Sequence, residues 1–600
     1  MSSSPAALAY HEPGIITILI LASFLLLENA INWAFDKLLF CGLLGQIAVG
    51  VAWGTPGAKW LSIDVENTIM QIGYLGLILL VFEGGLAADL KTLRSYLSLS
   101  SIVALIGISA PIGLSFLLQS FMEITPVQSF AAGAALCSTS LGTTFTILST
   151  SGLSQSRLGV VLSSAAMMDD LVGLVMSSII SSLGRHSDFS ATTVIRPVFV
   201  SVAFAAVLPL ICLYIVKPMT RQTYKLIKSK RGTQFHRLLT TESAALVLHA
   251  LVLAALVTAS SYAGTSVLFA AYLAGAAISW WDGLCFELRN ADAQNTLEPV
   301  DGTDLVGSSQ NGESSGAMDS KAHSMPQKPR AHRKQSGENN TSSSPKPREP
   351  QQPVPTPSTR QAVPSYDHLR GTHIFEKYYL PALQTVLKPF FFASIGFAIP
   401  ITQMFSGTVV WRGIVYSIIM VIAKLFCGLC LIRVAGPAVS LKFLLKHLPK
   451  TISGCWPLIR TQSKTPGTSS TRGGPRSQST TTVATAAPKQ RSSPRIAKPT
   501  SLYPAAMLGS AMVARGEIGF LICSVAESDG VFGATENGQS SELFLVVTWA
   551  ILLCTLLGPI AVGLMVKRVK RLQELERSIQ TGKEDPLGIW GVIPSQAASH

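Results

Sequence analysis

Apolar residues in this chain gather into long runs broken by short polar segments. An α-helix needs about 17–25 consecutive apolar residues to cross a bilayer, and by that measure about thirteen runs qualify. They cover 14–34, 38–54, 66–89, 95–119, 126–148, 157–183, 195–216, 240–260, 264–281, 378–401, 409–435, 503–527 and 541–566. Almost no loop separates the run at 240–260 from the one at 264–281. Inside lipid a backbone must satisfy its own polar groups, so such runs predict helices. The pattern is that of an all-α polytopic membrane protein.

Two stretches interrupt it. Residues 286–372 are rich in Ser, Pro, Gln, Asn, Lys and Arg, and 460–500, within a basic loop at 436–502, repeats that character. Neither holds enough apolar surface to offset the entropy of ordering, so both are expected to be disordered. The chain therefore divides into helices 1–9 (1–285), a loop (286–372), helices 10–11 (373–435), a second loop (436–502), helices 12–13 (503–566) and a tail (567–600).

Composition supports this reading. Of 600 residues, 48% are hydrophobic and 13% charged, with a mean hydropathy of +0.40, whereas a soluble domain carries about 25% charged residues. The net charge of +14 is no nucleic-acid signal, because it lies largely between spans and there sets orientation. Lys217, Arg221, Lys225, Lys228, Lys230, Arg231 and Arg237 fill one connection, Lys91 and Arg94 another, and Lys567, Arg568, Lys570 and Arg571 open the tail. The opposite connections are poor in Lys and Arg. Thirteen spans reconcile all of these with an outside or lumenal N-terminus and a cytoplasmic C-terminus, both long loops being cytoplasmic. Asn339 and Asn340 each begin an N-x-[ST] triplet, which this topology keeps from glycosylation. Residues 1–13 lack the positive region of a cleavable signal peptide. The nine cysteines are scattered, and Cys427 and Cys430 read as small residues at a helix contact.

The chemistry starts at Asp169 and Asp170, adjacent acids inside the apolar run Leu158–Leu183. A charged side chain at mid-membrane costs roughly 2.5–3.5 kcal/mol on insertion scales. Helical neighbours diverge by about 100°, so one acid can face a partner helix while the other faces water. Ionising both is costly unless a cation neutralises them. Protons and a metal cation therefore compete for the pair, which is the minimum machinery for exchange. Lys424, in another run, is too central to snorkel to either interface and is expected to touch Asp169 or Asp170. Arg515, Gly516 and Glu517 suggest an unwound segment whose charges pair within the protein, since Gly-interrupted spans mark transporter sites. Ser138, Thr139, Ser140, Thr143 and Thr144 surround Gly142 in a second such segment, where hydroxyls either bond their own backbone or offer oxygen to a hard cation such as sodium. Glu83 is a further acid, on the ion path or in packing. Glu28 is a weaker candidate, and His249 reads as hydrogen-bonded filler.

These residues, in this order, resemble the monovalent cation–proton antiporter superfamily, second branch, the sodium/hydrogen exchanger family. The resemblance runs through Gly45-Gln46, Phe82-x-Gly84-Gly85-Leu86, Ser138-Thr139-Ser140, Leu158-Gly159, Asp169-Asp170, Ala274-Gly275, Phe390-Phe391-Phe392 with Gly396, Lys424 and Arg515-Gly516-Glu517. It implies an inverted-repeat antiporter fold with a core of six helices, a dimerisation domain and two broken helices, here 126–148 and 503–527, that cross at the ion site. By the same resemblance Asp170 is the main carrier of cation and proton. Asp169 pairs with Lys424 and releases it on cation binding, Thr139 and Ser140 stand among the ion-binding residues, and Arg515 and Glu517 support the crossing. Asp169 and Asp170 are thus the expected metal-ion ligands. The Asp-Asp form is similar to electrogenic members of the family. The unusually long linkers depart from the family pattern, and the tail is read as carrying no nucleotide-binding domain.

The function expected is antiport of sodium or potassium against protons by a homodimer in a lipid bilayer, with no cofactor and no nucleic-acid partner. The rivals are a cation channel or a cation-sensing membrane protein on the same scaffold; an organic-anion symporter fits the acidic pair poorly. No nucleophile–base pair or phosphate loop suggests an enzyme.

Overall fold

Every regular element among the described residues is helical. The structure, a computed structural model, describes residues 12–88, 90–140, 152–184, 191–229, 241–297, 369–433, 502–533, 539–579 and 586–591. Most of both Ser-rich linkers, Asn339 and Asn340, and Gly142, Thr143 and Thr144 lie outside them. Residues 1–286 and 367–600 form one compact unit, and 287–366 a second, of which only the end of one helix is described.

The helices are α1 (Ile15–Leu39), α2 (Gly42–Trp53), α3 (Ile63–Leu86), α4 (Leu90–Ser115), α5 (Pro126–Ala135), α6 (Arg157–Gly184), α7 (Ala191–Ile211), α8 (Glu242–Ala263) and α9 (Val267–Leu297). They continue with α10 (Gly371–Phe397), α11 (Gly407–Arg433), α12 (Tyr503–Ala511), α13 (Glu517–Ser528) and α14 (Glu542–Ile579). Among the described residues, ten helical stretches are long and apolar enough to cross a membrane. The three other predicted spans take a different form. The run at 38–54 is the twelve-residue α2. Those at 126–148 and 503–527 are interrupted, α5 ending at Ala135 and α12 breaking from α13 between Ala511 and Glu517.

Several helices outlast their apolar runs. A π-turn at Cys212–Val216 carries α7 into the basic helix Lys217–Ser229, α9 extends to Leu297, and α14 to Ile579. Hydropathy ends where lipid ends, but backbone hydrogen bonding does not. Within α10, π-turns at Phe375–Tyr379 and Leu383–Leu387 flank Pro381, consistent with a ring that blocks the regular ladder.

Paired glycines set the closest helix contacts. A Cβ on Gly396 would lie 2.4 Å from the Ile47 carbonyl oxygen, and one on Gly50 2.2 Å from that of Ala393, so α2 and α10 touch backbone to backbone. Gly85 and Gly275 do the same for α3 and α9, at 2.1 Å from Tyr272 O and 2.3 Å from Phe82 O. Lipid offers no hydrophobic drive for helices to associate, so small residues that permit such packing hold them together. Burial separates inner from outer helices: 56% of the apolar stretch of α6 and 67% of that of α14 is buried, against 11% in α1, α7 and α8. At one end of the bundle Leu158, Tyr503, Val566, Val569 and Leu587 share a cluster. The starts of α6 and α12 and the end of α14 therefore lie on the same side.

Candidate functional site

The two interrupted helices meet at their breaks. The backbone N–H of Ser140 donates to Ala514 O at 2.9 Å, joining the non-helical segment after α5 to the one between α12 and α13. Ser, Thr and Gly favour such breaks, the hydroxyls by competing for backbone partners and Gly by its freedom. A Cβ on Gly516 would sit 2.7 Å from Ser140 Oγ, and one on Gly173 of α6 2.9 Å from Ser138 Cβ, so glycine is required where the three segments converge.

A helix that stops inside the protein leaves carbonyls unpaired and a partial negative charge at its C-terminus. Two buried cations answer both. Lys424 of α11 donates from Nζ to Cys137 O at 2.5 Å, and Arg515 donates from Nη1 to Ser138 O at 2.6 Å. Thr555 of α14 holds the Arg515 carbonyl at 3.0 Å. The sequence suggested an unwound segment here whose charges pair within the protein. Arg515 does so, fully buried on the α5 end, and Glu517 opens α13 half-buried.

The acidic pair divides as the 100° step predicts. Asp169 is fully buried; its Oδ2 accepts from Lys424 Nζ at 2.6 Å and from Thr139 Oγ1 at 2.8 Å. Lys424 also donates to Thr139 Oγ1 at 3.0 Å, closing a triangle. Asp169 Oδ1 is buried without a hydrogen-bond partner. Asp170 keeps partial exposure. The Thr139 backbone amide faces it, and Glu517 and Asp169 stand within electrostatic reach. Oxygen donors and charges of both signs are thus gathered where four helices meet.

Not every candidate is in this group. Glu83 has its charged neighbours in Lys388 and Glu376. His249 is buried edge-on to Trp281, and its Nε2 lacks a partner, so it is packed rather than hydrogen-bonded at that atom. Cys427 and Cys430 are free, buried thiols. A cavity of about 690 Å³ lined by Gln119, Glu123, Gln128, Arg412, Phe532 and Glu542 includes neither aspartate. Sequence reasoning missed the backbone carbonyls of Cys137, Ser138 and Ala514 and the support from Thr555. A carbonyl has no sequence signal, while Thr555 stood out only as one hydroxyl in a long run.

Residues 19–299 match the family described as sodium/hydrogen exchanger, transmembrane. Over 164 residues the chain is 28% identical to the high-affinity Na(+)/H(+) antiporter NhaS3 of Synechocystis, covering 27% of this chain and 36% of that protein. It is 30% identical over 146 residues to a Na(+)/H(+) antiporter of Enterococcus hirae, covering 24% and 38%. It is 28% identical over 153 residues to the Na(+)/H(+)-K(+) antiporter GerN of Bacillus cereus, covering 26% and 39%. The chain thus spans well under half the length of these curated relatives. Superposed on the sodium proton antiporter MjNhaP1 of Methanocaldococcus jannaschii it gives a TM-score of 0.47 at 10% identity, covering 92% of this chain and 99% of that one. Residues 19–299 are thus similar to the sodium/hydrogen exchanger family, and with its apolar helices the chain is a multi-pass integral membrane protein.

Proposed function

We propose that this protein is a secondary active antiporter that exchanges a monovalent cation, sodium or potassium, for protons by alternating access. The observation that carries the reading is the division of labour between the two aspartates. Asp169 is tied to Lys424 and Thr139 at the crossing, while its partly exposed neighbour Asp170 lies beside the same break. Asp170 takes up cation or proton from water. Asp169, with an unpartnered Oδ1, exchanges the Lys424 ammonium for the arriving cation. Arg515 and Lys424 hold the α5 end in place, and Glu517 adds negative charge near Asp170. Ser140 fixes the crossing through its backbone, and Glu83 acts apart from this group.

The printed names of the relatives concern sodium, with potassium also named for GerN, and both ions are kept as substrates. Basic connections on the cytoplasmic side put the N-terminus outside and the C-terminus inside. The sparsely buried helices α1, α7 and α8 supply the surface for a homodimer. The two linkers are cytoplasmic spacers.

Proton flux in proteoliposomes, driven by a pH step with each alkali cation in turn, tests the proposal. Wild-type protein is expected to move protons only against a counter-moving cation, and Asp170→Asn to abolish this while the purified protein keeps its melting behaviour. Exchange surviving in Asp170→Asn overturns the site. Cation current without coupled proton movement makes the protein a channel.

A further inference from the structure

One buried acid has no part in the site described. Glu28, in the middle of α1, is fully enclosed, with an exposure of 0%, and neither of its carboxyl oxygens has a hydrogen-bond partner. Across the α1–α2 hairpin, Gln46 is 1% exposed, and its Oε1 is also unpartnered.

The packing of the hairpin sets the two on one contact face. Gly42 of α2 lies against Asn32 of α1, and Gly45 against Ile31. The helices run in opposite directions, and residues four apart share a helix face. One turn beyond the Gly42–Asn32 contact therefore brings Gln46 to the level of Glu28. Further along, Phe24 and Val49 share one apolar cluster, which continues the same register.

Three buried acceptor oxygens on these two residues without a hydrogen-bond partner are costly as they stand. The neighbouring amide does not help, since Asn29 Nδ2 donates to Leu25 O and Thr385 O, each at 2.9 Å. No charged side chain of α2, α10 or α14, the helices packed on α1, stands within electrostatic reach of Glu28. Lys388 of α10 instead faces Cys41 and Glu83. A single proton changes the inventory, because a carboxylic acid gains an O–H donor.

We propose that Glu28 and Gln46 form a second proton-binding site, apart from the exchange cluster, in which Glu28 is a neutral acid that donates its O–H to Gln46 Oε1 and fastens α1 to α2. The ligand is a proton rather than an alkali cation, because full enclosure gives a hydrated ion no route. The acid is resident, not transported.

Infrared difference spectroscopy of the full-length protein in liposomes tests this. Wild type should show the carbonyl band of a protonated carboxylic acid that Glu28→Gln removes, unchanged by sodium, by potassium or by Asp170→Asn. Gln46→Leu should move that band to higher frequency, since it frees the acid from its acceptor. Glu28→Gln, which mimics the neutral acid, should exchange cations at the wild-type rate. Three results overturn the proposal: a carboxylate band lost in Glu28→Gln, an acid band erased by sodium, or a band indifferent to Gln46→Leu. If Glu28→Gln fails to fold, the shift in Gln46→Leu decides alone. Because Asp170→Asn leaves the band in place, failure of the exchange reading and failure of this one are separable.

Discussion

The Lys424–Asp169 pair is the residue on which the crossing depends, and its cost is asymmetric. Two enclosed opposite charges offset each other's desolvation, but removing one leaves the other stranded, at a cost of about 3–5 kcal/mol. Lys424→Met is therefore expected to lower the melting temperature sharply. Asp169→Asn added to it should recover much of the loss, because the stranded carboxylate is gone. A thermal-melting double-mutant cycle in detergent checks the sign of the coupling, and additive effects would show that the two side chains do not interact. The competition proposed at Asp170 gives a second expectation. One proton displaced by one cation raises the apparent KM for cation as pH falls, by about tenfold per pH unit while the carboxylate is protonated, and leaves it flat at higher pH. Initial rates across a pH series measure it. Lys424, Asp169 and Asp170 were legible as residues because a charge inside an apolar run has few innocent explanations. Their contacts were expected but not determined, since nothing in the order of residues says which Lys424 rotamer reaches which oxygen.

Among elements, the glycine pairs and the broken helices carry the most weight. Gly275→Leu puts a branched side chain where the Phe82 carbonyl already sits, and overpacking of this kind costs about 1–3 kcal/mol when the backbone can shift. Lower yield and a lower melting temperature are expected, with Gly275→Ala intermediate. Gly84, one residue from Gly85 in the same motif, meets nothing closer than 3.9 Å, so Gly84→Ala should behave as wild type; fluorescence-detected size exclusion separates the three. The breaks were readable because Ser138-Thr139-Ser140 and Gly516 weaken a helix. That they face each other was not readable, for Ser140 and Ala514 lie far apart along the chain. The polar extensions of α7, α9 and α14 escaped the hydropathy pattern, which reports the solvent around a helix and not the helix itself.

For the whole molecule, the cluster at the end of α14 ties the tail to the helix that bears the aspartates. Leu587 is 1% exposed in a cluster with Leu158 of α6 and Val569 of α14. Deleting a buried leucine side chain costs about 2–5 kcal/mol where the site does not collapse, so Leu587→Ala is expected to reduce thermal stability. Leu575→Ala, at a leucine that is 48% exposed, should not. Parallel melting curves decide, and equal midpoints would mean that the tail is not docked in solution.

The sequence by itself determined that this chain lives in a membrane, that it is helical and where most of its apolar helices lie, and it singled out the few charged residues proposed to carry its chemistry. Those properties follow from the cost of placing polar groups in hydrocarbon, and that cost is paid locally, residue by residue. The tertiary structure alone decided that two breaks meet, that Lys424 and Arg515 cap the end of α5, that Asp169 is enclosed while Asp170 keeps partial exposure, and that Glu28 and Gln46 are buried with unpartnered oxygens. Each of these is a distance between segments remote in the chain, set by glycine contacts whose partners no local pattern names.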